Sequence, residues 1–285
     1  MAAVTIQAIK ALQERTGAGI MDCKKALVEA DGNEEKAIDI LREKGIAKAA
    51  AKAGRTAAEG LAVAKICQKC GKKAAIVEVN CETDFVSGSP KFAEFVNAVL
   101  DKIYEEEPKG MEQAKAVTQS LFTDATVAMR ENFVLRRFAV LHAEGEQSFA
   151  TYTHGNGRMT SLVLLSKDGG EYAKGIAMTI VSGNPRYLNI NDVPAEDRAR
   201  ELEVAKAEVA NDPKLAAKPE AVKENIATRK VDSRLGDLCL DHAIYALDPE
   251  GKKTMAELEK QTGIKVLSFL RYAVGEGVEK SADEE

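Results

Sequence analysis

A hairpin followed by a helix occurs twice in this chain, and that repetition restricts the fold more than any other feature. Residues 61–66 and 74–80 read as strands joined by a Gly-containing turn, and a helix follows at about 91–104. Further on, a strand near 149–152, a turn at 154–158 and a strand at 159–165 precede a helix near 171–182. Turns this short join antiparallel neighbours, because a parallel pair needs a long crossover. A helix at about 111–131 and a strand at 134–142 lie between the repeats. The expectation is an α+β fold with two related antiparallel-sheet and helix subdomains. Side-chain identity between the halves is poor, so the likeness is one of pattern.

Residues 4–44 read as three short helices. The first carries Ile6, Ile9 and Leu12 at helical spacing, and Thr16, Gly17 and Gly19 break it. Asp22 is the expected cap of the second, with Cys23, Ala26, Leu27 and Ala30 facing inward. Gly32 ends it. Asn33 is placed to cap a third helix carrying Ala37, Ile38 and Leu41, which Gly45 is expected to close. Residues 46–60 are Ala-rich and basic, with Lys48, Lys52 and Arg55, and read as a partly helical linker. The chain therefore divides at 1–54, 55–145 and 146–285.

Inside the last division, Pro194 and Pro219 suit helix starts and Asn211-Asp212-Pro213 suits a turn. The large apolar residues there are few: Leu202, Val204, Val209, Val222 and Ile226. Stripes this narrow seal two helices against each other but not against a wide core, so a projecting helical hairpin is expected at about 192–235. A helix at 255–261, a turn at Gly263 and a strand at 266–274 follow. The acidic tail SADEE is expected to fray.

The net charge of −5 argues against bulk nucleic-acid binding, which leaves a basic footprint. No stretch is long and apolar enough to span a bilayer. The N-terminus has neither the layout of a signal peptide nor that of a transit peptide. Five cysteines, an odd number without an export signal, read as reduced thiols in a cytoplasm.

Chemistry-bearing motifs are sparse. Gly170 and Gly175 have the glycine spacing of a phosphate loop, but Ile176 and Ala177 stand where a Lys and a hydroxyl are required, so no nucleotide is expected to bind. Cys67 and Cys70 form a C-x-x-C, and Cys81 lies further along the same hairpin. A structural zinc site needs four ligands, so the pair reads as two thiols in a turn, with no metal and no cofactor expected. His142, His154 and His242 belong to no triad. His142 reads as a strand residue at a sheet edge, and His154 as an exposed residue of the Gly-rich turn HGNGR. The stretch VNCETDFV, followed by SGSP, ends a strand with Phe85 beside Asp84. From the residues alone Phe85 reads first as a plug turned into the core, which is what a lone Phe usually does. The alternative is an exposed aromatic anchor on a strand-end loop, with Thr83 and Asp84 offering hydrogen bonds beside it.

Six segments in order resemble the elongation factor Ts family across nearly the whole chain. They are LQERTGAGIMDCKKAL (12–27), AKAGRTAAEG (51–60), EVNCETDFV (78–86) with the hallmark TDFV, ENFVLRRF (131–138), YTHGNGR (152–158) and FLRYAVGEGVEK (269–280). The C-x-x-C of the first hairpin is outside that family's pattern, and some relatives continue after GEGVEK into a C-terminal helix that grips the partner.

The resemblance implies an N-terminal three-helix module similar to ubiquitin-associated domains, and a partner, the GTPase elongation factor Tu in its GDP-bound and nucleotide-free states. It implies that Thr83, Asp84, Phe85 and Val86 press on the partner's nucleotide domain, with Phe85 a wedge between helices and the Mg2+ site disturbed. It carries Lys24, His154 and, loosely, Ile244 over as secondary contacts. On that reading Phe85 is the anchor and not the plug. The expected protein makes and breaks no bond and is no enzyme in the chemical sense. Two other readings rest on parts of the chain: an adaptor for ubiquitin-like proteins on the N-terminal module, and a zinc-binding RNA or ribosome factor on Cys67, Cys70 and Cys81.

Overall fold

The computed structural model describes residues 4–52, 54–215 and 218–278, and the side chains of all of these but 46–52. Helix α1 (Ile6–Thr16) starts where the Thr5 hydroxyl accepts from the Ala8 N–H at 3.1 Å, and ends at Gly17, whose φ of 64° favours glycine. Helix α2 (Ile20–Glu29) begins at Gly19 rather than at the expected cap, Asp22. Asp22 lies in its first turn and spends its carboxylate on Arg130 at 2.8 Å, and a Cβ at position 19 would strike that same guanidinium. Asn33 caps α3 (Glu34–Lys52) through the Lys36 N–H at 3.0 Å. Gly45 does not close α3, which runs on into the linker. Its missing side chain lets the helix lie against Val127. Leu12, Cys23, Ala26, Leu27, Ala30, Ala37 and Leu41 make a small common core, as their spacing implied, while Ile6 is exposed.

The first sheet is β1 (Glu59–Ile66), β2 (Lys73–Cys81) and β3 (Val134–His142), antiparallel in the order β1-β2-β3. Between its second and third strands come α4 (Asp84–Ser87), α5 (Pro90–Glu106) and α6 (Met111–Met129). The second sheet is β4 (Ser148–His154), β5 (Met159–Leu165) and β6 (Val266–Ala273), again antiparallel in sequence order. Between β5 and β6 come α7 (Ala173–Gly183), α8 (Ala195–Asn211), α9 (Glu220–Gly236) and α10 (Met255–Thr262). The fold is α+β. The doubling reaches one strand further than the hairpins: residues 134–142 are the third strand of the first sheet, and β6 is their counterpart.

The layers follow from strand parity. Along β2, Ala75, Val77, Val79 and Cys81 join a core with Phe92, Val96, Val99 and Ile103 of α5. The alternate Ala74 and Ile76 meet Phe149, Leu162 and Tyr272 of the second sheet. On the far side Val163 and Leu165 pack on Ile176 and Ile180 of α7 and Leu258 of α10. The order is helix, sheet, sheet, helix. Because β2 is covered on both faces, its sequence is apolar almost throughout.

Helices α8 and α9 form the expected hairpin around their own seam. Only Val209 of the five anticipated residues is buried, and Val204 and Val222 face solvent. Ala205, Ala227, Val231 and Leu235 fill the seam, since small alanines let the two helices approach closely. Glu208 crosses it to Arg234 at 2.7 Å and Lys230 at 3.2 Å. The tail SADEE lies outside the described residues, among which no helix is long and apolar enough to cross a membrane.

Candidate functional site

Thr83 to Val86 form a pinned turn and not a free loop. Strand β2 ends at Cys81, and one helical turn, α4, follows at once. Thr83 caps it, accepting from the Val86 N–H at 3.4 Å. Its own hydroxyl donates to Glu131 at 2.6 Å, and the same carboxylate accepts from the N–H groups of Glu82 and Thr83 at 3.0 and 3.2 Å. Glu82 returns the tie, accepting from the Asn132 N–H at 2.6 Å and pairing with Arg55 at 3.1 Å. Ser87 is buried beneath the turn, and Ser89 caps α5 through the Phe92 N–H at 3.2 Å. The Cys81 thiol donates to the Thr83 carbonyl at 3.3 Å, and burial pushes its pKa up to about 12, so it stays protonated.

On this mount Phe85 is 88% exposed, which overturns its reading as a core plug. The space below is already filled: Phe92 stacks on Phe133 at 5.8 Å, and Phe95 meets Phe122 edge-on at 5.0 Å. Val86 packs partly into that cluster. Thr83 is exposed but its hydroxyl is engaged within the chain. Asp84 and Phe85 are the two members of the motif whose side chains point outward without such a task.

The other candidates divide. His154 ends β4, exposed, with Nδ1 3.3 Å from the Tyr152 hydroxyl. Its turn docks on β1: the Gly157 carbonyl accepts from the Ala62 N–H at 2.8 Å, and Arg158 pairs with Glu59. Gly157 has a φ of +93° and lies so close to Leu61 that a Cβ there would clash. Glu59 stands opposite Cys81 in the sheet, so the His154 turn and the Phe85 turn share one end of the molecule. Lys24 is exposed on α2, whose first turn reaches Arg130, the residue before Glu131. Ile244 belongs to another corner, 44% exposed and bridged to Thr254 ahead of α10, and none of these contacts brings it to the Phe85 turn.

Glu131, Glu82, Asn132 and Arg55 escape a reading of the sequence, although Glu131 and Asn132 open the ENFVLRRF signature. Their roles depend on three segments, around Arg55, Glu82 and Glu131, meeting in space. Cys67 and Cys70 occupy the turn between β1 and β2, whereas Cys81 is buried at the opposite end of β2. The three thiols do not converge, and no cluster fit to hold a metal ion occurs among the described residues.

A family model described as elongation factor TS matches residues 82–276. An elongation factor Ts of Lactiplantibacillus plantarum is 41% identical over 289 residues, covering 99% of this chain and 96% of that protein. Those of Lacticaseibacillus casei and Pediococcus pentosaceus are each 39% identical, over 99% and 98% of this chain and 96% and 95% of their own length. The family match opens at Glu82, which ties the Phe85 turn to Asn132, and runs through β3 of the first sheet and the whole of the second. By this match and by relatives alike over nearly their whole length, the chain belongs to the elongation factor Ts family, whose members are translation elongation factors.

Proposed function

We propose that this chain promotes release of GDP from the translational GTPase elongation factor Tu, in the cytoplasm, with Phe85 as the group that enters the partner. The observation that carries the reading is a large aromatic ring left 88% exposed on a turn held by three hydrogen bonds to one carboxylate. Exposed singly, such a ring gains nothing in the free chain. Buried in a pocket of a partner it becomes the kind of anchor that dominates binding energy. Asp84 brings a carboxylate beside it, toward the nucleotide and its Mg2+. Thr83 and Val86 position the pair: one is spent on Glu131 and Val86, the other on the core.

The mechanism is linkage rather than bond chemistry. If the factor weakens GDP binding by some ratio, GDP weakens factor binding by the same ratio. A thousandfold effect corresponds to about 4 kcal/mol of coupling. The His154 turn, at the same end, supplies a second contact, Lys24 a third, and Ile244 one at a different corner. Release of labelled GDP from elongation factor Tu, timed with and without the chain, tests the reading. Acceleration that saturates with added chain is expected, and a release rate indifferent to the chain refutes it.

A further inference from the structure

The turn between β1 and β2 lies at the end of the first sheet away from Phe85 and carries chemistry that exchange does not use. It is tightly closed: the Cys67 N–H donates to the Lys73 carbonyl at 2.8 Å, and the Gly71 N–H to the Cys67 carbonyl at 2.9 Å. Gly71 takes a φ of +65° to complete it. That Gly71 bond encloses both cysteines in one turn, in which Cys67 and Cys70 stand three residues apart. The Cys70 sulfur accepts from the Lys72 N–H at 3.4 Å. Two ammonium groups flank Tyr104, Lys73 at 4.4 Å and Lys65 at 5.0 Å from its ring centre, each also paired with a carboxylate, Glu107 and Asp101 respectively. Cys67 is half-buried and Cys70 exposed.

We propose that Cys67 and Cys70 form a thiol–disulfide exchange site for low-molecular-weight disulfides. A backbone that folds Cys67 and Cys70 into one closed turn keeps their Cα atoms near each other, as the geometry of a disulfide requires. Donors that converge on one sulfur stabilise its thiolate, the attacking form. The Tyr104 hydroxyl, then Cys70 and the turn N–H groups, hold the Cys67 thiol down at about 6. Cys23, Cys81 and Cys239 are the opposite case, buried and with their thiols pushed up. In the first step the Cys67 thiolate attacks one sulfur of the small disulfide, a mixed disulfide forms, and one small thiolate leaves and takes up a proton. In the second, the Cys70 thiol gives up its proton and its sulfur attacks Cys67 Sγ, expelling the second small thiol. Two protein thiols are oxidised and one small disulfide is reduced to two thiols. The site stands whether or not the GTPase reading does.

The test uses the full chain with glutathione disulfide as probe, read by peptide mass spectrometry. Wild type should close a Cys67–Cys70 disulfide and release two reduced glutathiones per chain. Cys70→Ser should stop at a mixed disulfide on Cys67 with one released, and Cys67→Ser should react at least tenfold more slowly. In Cys70→Ser, alkylation of Cys67 by iodoacetamide should titrate with a midpoint below the ordinary thiol range, and Tyr104→Phe should move that midpoint upward. The three buried thiols should stay unmodified in the native protein. An ordinary thiol midpoint for Cys67, mixed disulfides that never resolve in wild type, or a zinc ion held by the pair would each overturn the proposal.

Discussion

Phe85→Ala separates two demands that a buried phenylalanine would confound. A ring filling the core would cost about 3–5 kcal/mol on truncation. A ring 88% exposed leaves the melting temperature almost unmoved, within about 0.5 kcal/mol, because its loss opens no cavity. GDP release from the partner should nevertheless fall at least about tenfold, the effect of losing roughly 1.4 kcal/mol. Exchange kinetics and a thermal melt on the same sample check both halves. The residue scale also supplies a pH dependence. Cys81 and Tyr272 are buried, and each has its folded pKa raised to about 12. An unfolded thiol and phenol ionise near about 8.5 and 10. Between those values and about 12 the unfolded chain loses protons that the folded chain keeps, so stability present below that window is lost as pH rises through it. Melting temperature should hold from pH 7 to 8 and decline above 9. Cys81→Ala should flatten part of the decline. Both Phe85 and Cys81 were legible as residues of interest, but exposure and burial were not, since parity is broken where a strand turns into α4.

Helix α7 shows how an element can need the residue its propensity disfavours. Gly175 sits inside it, where alanine would ordinarily stabilise by about 1 kcal/mol. A Cβ there would come within 2.2 Å of the Tyr245 hydroxyl and 2.4 Å of its ring, and Tyr245 is buried. Overpacking of that kind costs about 1–3 kcal/mol, so it wins. Gly175→Ala should lower the denaturation midpoint, and Gly175→Ala with Tyr245→Phe should recover part of the loss, as equilibrium unfolding would report. The same contact explains the Gly170/Gly175 spacing that imitates a phosphate loop: Gly175 serves packing and Gly170 a φ of +49°. Long elements were readable because period and caps agree over many residues, as in α5 with Ser89 before Pro90. The helical hairpin was readable as an element, though its seam was not, because alanines at Ala205 and Ala227 give no apolar signal.

At the scale of the molecule, one buried carboxylate joins the two sheets. Glu78, fully buried on the second-sheet side of β2, accepts from Arg136 at 3.2 Å, Arg137 at 2.6 Å and the Gly275 N–H at 3.1 Å. Arg137 continues to the Ala273 carbonyl at 3.1 Å and lies 4.3 Å over the Tyr272 ring. Removing the carboxylate takes from Arg136 and Arg137 their buried counter-charge and leaves them carbonyls and the rim residue Glu276, so the cost falls below the figure for a fully buried pair, about 3–5 kcal/mol. Glu78→Ala should therefore lower the stability of both sheets, read as faster amide exchange in β2 and β6 together, while Glu276→Ala, at the exposed rim, should do far less. No sequence pattern announces this joint, because its partners lie 59 and 197 residues away. The clamp on the Phe85 turn has a consequence of another kind. If Phe85 enters the partner as proposed, it displaces what it meets only as far as its own support resists being pushed back. Glu131 grips the turn, and its neighbour Arg130 reaches Asp22 of α2, so recoil on the ring passes into the first sheet and the N-terminal helices together. On the proposed reading the turn resists where the ring meets its load, and yielding is left to the partner.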